Sequence, residues 1–194
     1  YAGLNSLDAR YDQIICDGYQ AAVTAINHLI QLGHRKIAYI GETERENRYR
    51  GYLDALSAEN ITVYKGYVSN VTLSSEGGYL GAKKLLEQNC DATAYFCPND
   101  MTAIGAMRAI QEAGYSIPGD ISIISIDDIE TAQYLNPMLT TVHIPIEEMG
   151  QMAAKTLIDR IEGGHSLPMK INLPFYIANR ESCGPAHPLR QREE

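Results

Sequence analysis

This chain of 194 residues lacks several features on which common protein functions depend. It contains no tryptophan and only two phenylalanines, and its four cysteines (Cys16, Cys90, Cys97 and Cys183) show no CxxC spacing. Zinc ribbons and dithiol redox centres need paired cysteines, so we interpret these thiols as reduced residues packed in a core. The sequence also has no P-loop, G-x-S-x-G or H-E-x-x-H motif. We therefore expect no metal, no cofactor and no enzymatic activity.

Positively charged residues are also fewer than negatively charged ones. The chain has 16 lysines and arginines against 24 aspartates and glutamates, which gives a net charge of −8. A chain that itself grips a phosphate backbone carries the opposite excess, so any DNA contact would come from another segment. No apolar run approaches the roughly 18 residues of a membrane helix, and no secretory signal is visible at the start. We expect a cytoplasmic protein that makes no membrane contact.

Strand-like and helix-like segments alternate along the chain. Apolar spacing predicts helices over 19–32, 44–58, 75–88, 99–113 and 147–162, and strands over 36–41, 62–68, 92–97, 121–126 and 170–177. Such alternation indicates βαβ units with right-handed crossovers. The expected fold class is therefore α/β, a doubly wound parallel sheet with helices on both faces. Residues 183–194 show no pattern and are interpreted as a loose tail.

Paired polar residues follow two of the predicted strands. They are Asn99-Asp100 and Asp127-Asp128. Ligands of open parallel sheets bind beyond the carboxyl ends of the strands, so the pairs mark a candidate binding edge. The structural alternatives stay open: Asn99 and Asp100 stand where a helix begins, Asp100 being the better cap, and Asp128 suits a turn.

Six segments, in order, resemble the lactose/galactose-repressor family. They are 28–41 (HLIQLGHRKIAYIG), 48–56 (RYRGYLDAL), Asn99-Asp100 with Ala103 and Gly105, 117–128 (IPGDISIISIDD), 137–145 (PMLTTVHIP) and 179–182 (NRES). The resemblance runs from about residue 17 to residue 182. It implies the periplasmic-binding-protein-like effector core of a transcriptional repressor that responds to a small sugar or sugar derivative. Operator DNA would be bound by a helix-turn-helix headpiece that these residues do not contain.

The resemblance also implies a division into lobes. Residues 17–142 and 168–180 would form the C-terminal lobe, which binds effector and dimerises. Residues 1–16 and 143–165 would be a remnant of the N-terminal lobe. The helix over 147–162 would then bury its apolar face in a part of that lobe outside this sequence.

Five positions are implied as ligand contacts. Arg48 stands three residues before Gly51, where the family has an arginine whose guanidinium can hold two hydroxyls or a carboxylate. Its alternative is a surface arginine on a helix that begins with Glu44 and Glu46. The other four positions are Asn99, Asp127, Asn5 and Leu73. Leu73 is a departure, because relatives often carry there an aromatic residue that stacks on the ligand ring; Tyr19 is one candidate replacement.

A homodimer is implied too, with an interface built from Ile104, Met107, Arg108, Thr131 and Leu135. Soft aliphatic and methionine side chains suit a self-complementary patch. The alternative to a repressor is a periplasmic sugar-binding protein of a transporter, which has the same fold and the same polar chemistry.

Overall fold

A computed structural model describes residues 1–5, 10–44 and 46–187, and these residues form two sheets and five helices. The strands are β1 (Ala2–Gly3), β2 (Gln13–Ile15), β3 (Ile37–Gly41), β4 (Val68–Asn70), β5 (Ala94–Phe96), β6 (Ser122–Asp127), β7 (Thr140–His143), β8 (Lys170–Asn172) and β9 (Tyr176–Ala178). The helices are α1 (Gly18–Gln31), α2 (Asn47–Ala58), α3 (Ser75–Glu87), α4 (Asp100–Glu112) and α5 (Ile146–Ile161), with short 3-10 turns at Lys65–Tyr67 and Glu130–Tyr134.

The larger sheet has the strand order β4-β3-β5-β6-β7-β9, and only β9 runs antiparallel. Helices α1 and α2 cover one face and α3 and α4 cover the other. Successive strand residues point to opposite faces, so neighbouring apolar residues enter different cores. Tyr39 and Phe96 pack with α1 and α2, whereas Ile40 and Tyr95 pack with α3 and α4. The predicted doubly wound α/β class is confirmed.

Helices α3 and α4 approach each other at two glycines. A Cβ added at Gly78 would lie 1.9 Å from the Thr102 carbonyl oxygen, and one at Gly105 would lie 1.8 Å from the Ser75 carbonyl oxygen. Both positions therefore require glycine, because any side chain would force the two backbones apart. This close crossing places the first turn of α4 beside the first turn of α3.

The smaller sheet has the order β1-β2-β8, with all strands parallel, and α5 packs against it. It corrects one prediction. The single strand expected over 170–177 is two strands, β8 beside β2 in the small sheet and β9 beside β7 in the large one. Residues 168–180 thus contribute one strand to each sheet, and the division into lobes stays a prediction.

Two further local predictions are wrong. The strand expected over 62–68 begins only at Val68, after the 3-10 turn. The loose tail expected from residue 183 begins as ordered chain: the Gly184 N–H donates to Ser122 Oγ at 3.0 Å, and the Ala186 N–H donates to the Leu32 carbonyl at 2.9 Å. Residues 188–194 of that prediction lie outside the described residues.

Within the described residues no helix is long and apolar enough to cross a membrane. A search of the same residues found no group of three side chains that could hold a metal ion.

Candidate ligand-binding site

The site lies where the strand order of the large sheet reverses. From β3 the chain passes to β4 on one side, and β5 lies on the other side of β3. The segments that leave β3 and β5 therefore diverge, and they open a crevice beyond the carboxyl ends of these strands. The segment after β3 leads into α2, whose second residue is Arg48, whereas the segment after β5 contains Pro98 and Asn99.

Arg48 spans this crevice. Its Nη1 donates to the Pro98 carbonyl oxygen at 2.7 Å, which links the segment after β3 to the segment after β5. Its Nε and Nη2 each donate to one oxygen of the Glu46 carboxylate at 2.8 Å. The Arg48 side chain is only 12% exposed and that of Glu46 only 10%. The interpretation of Arg48 as a solvated surface residue is thus wrong.

Glu46 holds this position for a local reason. It is the N-cap of α2, and Oε1 accepts a hydrogen bond from the Arg48 backbone N–H at 3.0 Å. The same carboxylate therefore caps the helix and pairs with the side chain two residues later. The bonds to Arg48 hold the pKa of Glu46 below its ordinary value although burial opposes them.

Asp127 ends β6 on the same edge. Its backbone has a φ of +130°, and Asp128 after it has a φ of +59°, so the chain turns sharply here. The pKa of Asp127 is raised to about 7, chiefly by burial and also by the nearby carboxyl groups of Asp100 and Glu46, while Arg48 opposes the rise. Within the described part of the chain no hydrogen bond to the Asp127 carboxylate is found, in contrast to its neighbours Asp100 and Asp128. A desolvated acceptor without a protein donor can take hydroxyl donors from a ligand.

Asp100 has a structural role beneath the site. It is fully buried, and it accepts hydrogen bonds from Ser125 Oγ at 2.5 Å, from Thr141 Oγ1 at 2.6 Å and from the Ile129 N–H at 2.8 Å. These bonds join α4 to β6, β7 and the turn after β6. Asp100 thereby fixes the backbone on which Asp127 lies.

Asn99, rather than Asp100, is the N-cap of α4, which corrects the expected preference. Its Oδ1 accepts from the Thr102 N–H at 2.9 Å, and its Nδ2 makes only a long contact of 3.5 Å with the Leu73 carbonyl oxygen. The structure thus brings Asn99 beside Leu73, which is half-buried. Ligand contact through the Asn99 amide stays a prediction.

Asn5 contacts the first residue of α2 and makes no hydrogen bond to Arg48 or Asp127 among the described residues. Its Oδ1 accepts from Asn47 Nδ2 at 2.7 Å. Tyr19 donates its hydroxyl to Asp54 Oδ2 at 3.0 Å on the exposed side of α1 and α2. A ligand contact by either residue stays a prediction.

Both carboxylate oxygens of Asp128 are paired with side chains of the protein. Arg180 Nη2 donates to its Oδ1 at 2.6 Å, and His143 Nδ1 lies 2.9 Å from its Oδ2. The His143 ring in turn stacks on Tyr176, with the ring centres 4.7 Å apart. These contacts tie the turn after β6 to β7 and β9 and leave Asp127 as the carboxylate of the pair that has no hydrogen-bond partner among the described residues.

Four of the five predicted dimer residues are at least partly exposed. Arg108 and Thr131 are exposed, and Ile104 and Leu135 are half-buried. Met107 was expected to be exposed, and this is wrong: it is 4% exposed and packs in the core beneath α4. Ile104 and Met107 are three residues apart in α4 and so differ by about 60° around the helix axis. Met107 lies on the side of the inward residues Ala103, Ala106 and Ile110.

Sequence reasoning missed Glu46 as part of the site. Its acidity next to Glu44 favoured a solvated helix face. The signal that was present is the spacing, since an acidic N-cap two residues before an arginine can hold both the backbone and the guanidinium of that arginine.

Comparisons with known proteins give a consistent result. The family model for the periplasmic binding protein-like domain matches residues 26–183. The ribose operon repressor of Haemophilus influenzae is 41% identical over 155 residues, which cover 78% of this chain and 47% of that protein. The HTH-type transcriptional repressor PurR of Yersinia enterocolitica is 36% identical over 186 residues, covering 93% and 54%. The chain spans about half the length of these curated relatives.

A solved structure agrees. The LacI family transcriptional regulator from Enterococcus faecium with bound ribose is similar with a TM-score of 0.88 and 33% identity, over 96% of this chain and 70% of that one.

Proposed function

Because this chain belongs to the LacI family of transcriptional regulators, we propose that it is the effector-binding core of a repressor that responds to a small sugar or sugar derivative. The observation that carries the proposal is the Asp127 carboxylate. It is desolvated, has no protein donor within the described residues, and lies beside the guanidinium that bridges the crevice.

The chemistry of this edge suits a polyhydroxylated ligand. Asp127 can accept from two adjacent hydroxyls, and Asn99 Nδ2, which makes only a long contact with Leu73, can donate to a ring or hydroxyl oxygen. Leu73 offers an aliphatic surface to the ring in place of an aromatic platform. Each hydrogen bond to a charged group contributes about 1.5–3 kcal/mol when the site is desolvated.

The proposed mechanism is a shift of population between two lobe orientations. Effector would bind between the C-terminal lobe and the N-terminal lobe, and would favour the orientation in which it contacts both. In a homodimer this change would alter how two headpieces fit operator DNA, inside the cytoplasm. Support for this mechanism comes from the relatives, which are named as repressors. The same names argue against a transporter's sugar-binding protein.

The test is a titration of the full-length protein by calorimetry. Ribose is one probe, within a panel of neutral monosaccharides. Asp127→Ala should weaken binding of the responding sugar by about tenfold or more, because it removes a desolvated acceptor of two hydrogen bonds. The exposed Glu130→Ala, three residues further on, is the control and should bind as the wild type does. Equal affinities in wild type and Asp127→Ala would contradict the role of Asp127.

A further inference from the structure

The pairing of Arg48 with Glu46 has a consequence for the kind of ligand that this edge accepts. A guanidinium in a crevice can bind a hydroxyl pair, a carboxylate or a phosphate, and it holds the two anions more strongly than the hydroxyls. Here two of its three nitrogens, Nε and Nη2, already donate to Glu46, and the third donates to the Pro98 carbonyl. The fork formed by Nε and Nη2 is therefore filled by a carboxylate of the protein, and of the five N–H groups only one on Nη1 and one on Nη2 are left for a ligand.

The other charged groups at this edge also disfavour an anionic ligand. The groups that act on Asp127 are Asp100, Arg48 and Glu46, so one guanidinium stands among three carboxyl groups when Asp127 itself is included. Burial raises the pKa of two of these carboxyl groups, Asp100 and Asp127, whereas Glu46 keeps its charge through its bonds to Arg48. Glu46 and Arg48 are both almost fully buried, so water screens their charges weakly. Asp100 is held by three internal donors and cannot turn away.

We propose that Glu46 is a specificity-determining residue of this site: by occupying Arg48 it restricts the ligand to an uncharged polyhydroxyl compound and rejects phosphorylated sugars and sugar acids. This inference rests on the proposed function in one respect, namely that the edge binds a sugar at all.

The physical reason is a difference between two ligands of similar shape. A neutral sugar donates its hydroxyls to Asp127 and leaves the Arg48–Glu46 pair intact. An anionic sugar must either displace Glu46 from Arg48, which leaves a buried carboxylate without its partner, or place its charge beside Asp127. Both alternatives cost free energy only when the ligand is an anion. They therefore lower the affinity for anionic sugars relative to neutral ones.

The first experiment compares matched pairs of probes on the full-length protein by calorimetry. The pairs are ribose with ribose 5-phosphate, and glucose with glucose 6-phosphate and with gluconate. Wild type should bind the neutral member of the responding pair at least about tenfold more tightly than the anionic member. Tighter binding of a phosphorylated sugar or of a sugar acid by the wild type would overturn the proposal.

The second experiment changes Glu46 itself. Glu46→Gln keeps an oxygen that can cap α2 but removes the charge that neutralises Arg48. The ratio of anionic to neutral affinity should rise by about tenfold or more. Glu44→Gln removes the same charge from an exposed position two residues earlier and should leave the ratio as in the wild type. An equal change of the ratio in both variants, or no change in Glu46→Gln, would overturn the proposal.

A third measurement does not need a sugar. Inorganic phosphate, compared with chloride at equal ionic strength, should raise the melting temperature of Glu46→Gln more than that of wild type or Glu44→Gln, because the freed guanidinium can bind the anion. The double variant Glu46→Gln/Arg48→Gln should lose this extra rise. If phosphate acts in this way while no sugar binds the wild type, the proposed function fails and the role of Glu46 stands. If sugars bind but Glu46→Gln gains no response to phosphate, the proposed function stands and the role of Glu46 fails.

Discussion

Helices α4 and α5 have similar amphipathic patterns and very different surroundings. In α4 the side chains of Ala103, Ala106 and Ile110 are fully buried between α3 and the large sheet. In α5 only Met149 and Thr156 are buried, while Leu157, Ile158 and Ile161 are 60%, 54% and 75% exposed. An apolar stripe therefore predicts which face of a helix is to be covered, but it does not identify the element that covers that face.

The same contrast holds for the two sheets. Every strand of the large sheet except the edge strands has a partner on both sides, and helices cover both faces. The small sheet has three strands, and α5 packs on it while keeping several large apolar side chains in contact with solvent. Exposed apolar groups in such a cluster mark a surface that another chain segment or another molecule can cover. We propose that in a longer protein this face packs in the N-terminal lobe, as the family resemblance implies.

The largest expected effect is a difference in the loss of stability between a substitution in α4 and one in α5. Ile110→Ala should lower the free energy of unfolding by about 2–5 kcal/mol, because it opens a cavity in a packed core. Leu157→Ala removes a group that is already exposed and should change this chain by no more than about 0.5 kcal/mol. Urea unfolding of the 194-residue chain measures both. Similar losses in the two variants would show that α5 is covered to the same extent as α4.

The second prediction concerns the polar edge of the large sheet. The pKa of Asp127 is about 7 in the folded protein and near 3.8 when unfolded. Between these values the folded state binds more protons than the unfolded state, so stability falls as pH rises from about 4 to 7 and is level above that.

Asp127→Asn lacks this dependence. Its unfolding free energy relative to wild type should therefore increase by about 1–3 kcal/mol over the same interval, given about 1.4 kcal/mol for each pKa unit and some loss to solvent screening. Denaturant titrations of both proteins at pH 4.5, 6 and 7.5, without effector, give the difference. A difference that does not vary with pH would mean that Asp127 ionises at its ordinary pKa.

The third prediction uses the outer side of α4. Ile104→Glu should raise the dissociation constant of the full-length homodimer by about tenfold or more, because an unpaired charge would be buried at the interface. Light scattering over a range of concentrations measures this. Gln88→Glu, at the exposed C-cap of α3, introduces the same charge away from the predicted patch and should leave the dimer intact. A persistent dimer in Ile104→Glu would show that the interface lies elsewhere.

The smallest effect is expected on the free face of α5. The double variant Leu157→Ser/Ile161→Ser should leave the stability of this chain within about 0.5 kcal/mol of wild type and should reduce its binding of a hydrophobic dye. In a longer protein where this face is covered, each change should cost about 1.5–3 kcal/mol. Stability measurements on the 194-residue chain and on a longer protein decide whether the apolar face of α5 is covered or exposed to solvent.

Much of the fold could be predicted because its signals are local. The helix over 19–32 ends at Gly33, whose φ of +94° is a conformation that glycine adopts easily. The runs in β3, β5 and β6 are buried on both faces, so their strand character is visible as continuous apolar sequence. The positions of Arg48 and Asp127 at the carboxyl edge follow from the same alternation of strands and helices.

The remaining features depend on partners that are distant in the chain. Nothing within 170–177 indicates that β8 pairs with β2 while β9, after a few residues, pairs with β7 in the other sheet. Met107 has an apolar side chain that suits a surface patch or a core equally well, and only the position of α3 and the sheet decides between them.

By itself, the amino-acid sequence determined the order of strands and helices, the edge at which polar residues collect, and the family to which the chain belongs, because each of these depends on residues close together or on ordered motifs. The tertiary structure alone decided which sheet each strand joins, which apolar faces are covered, and that Glu46 rather than solvent neutralises Arg48. The reason is that pairing and burial are set by contacts between segments far apart in the chain, and such contacts leave no periodic trace in either segment.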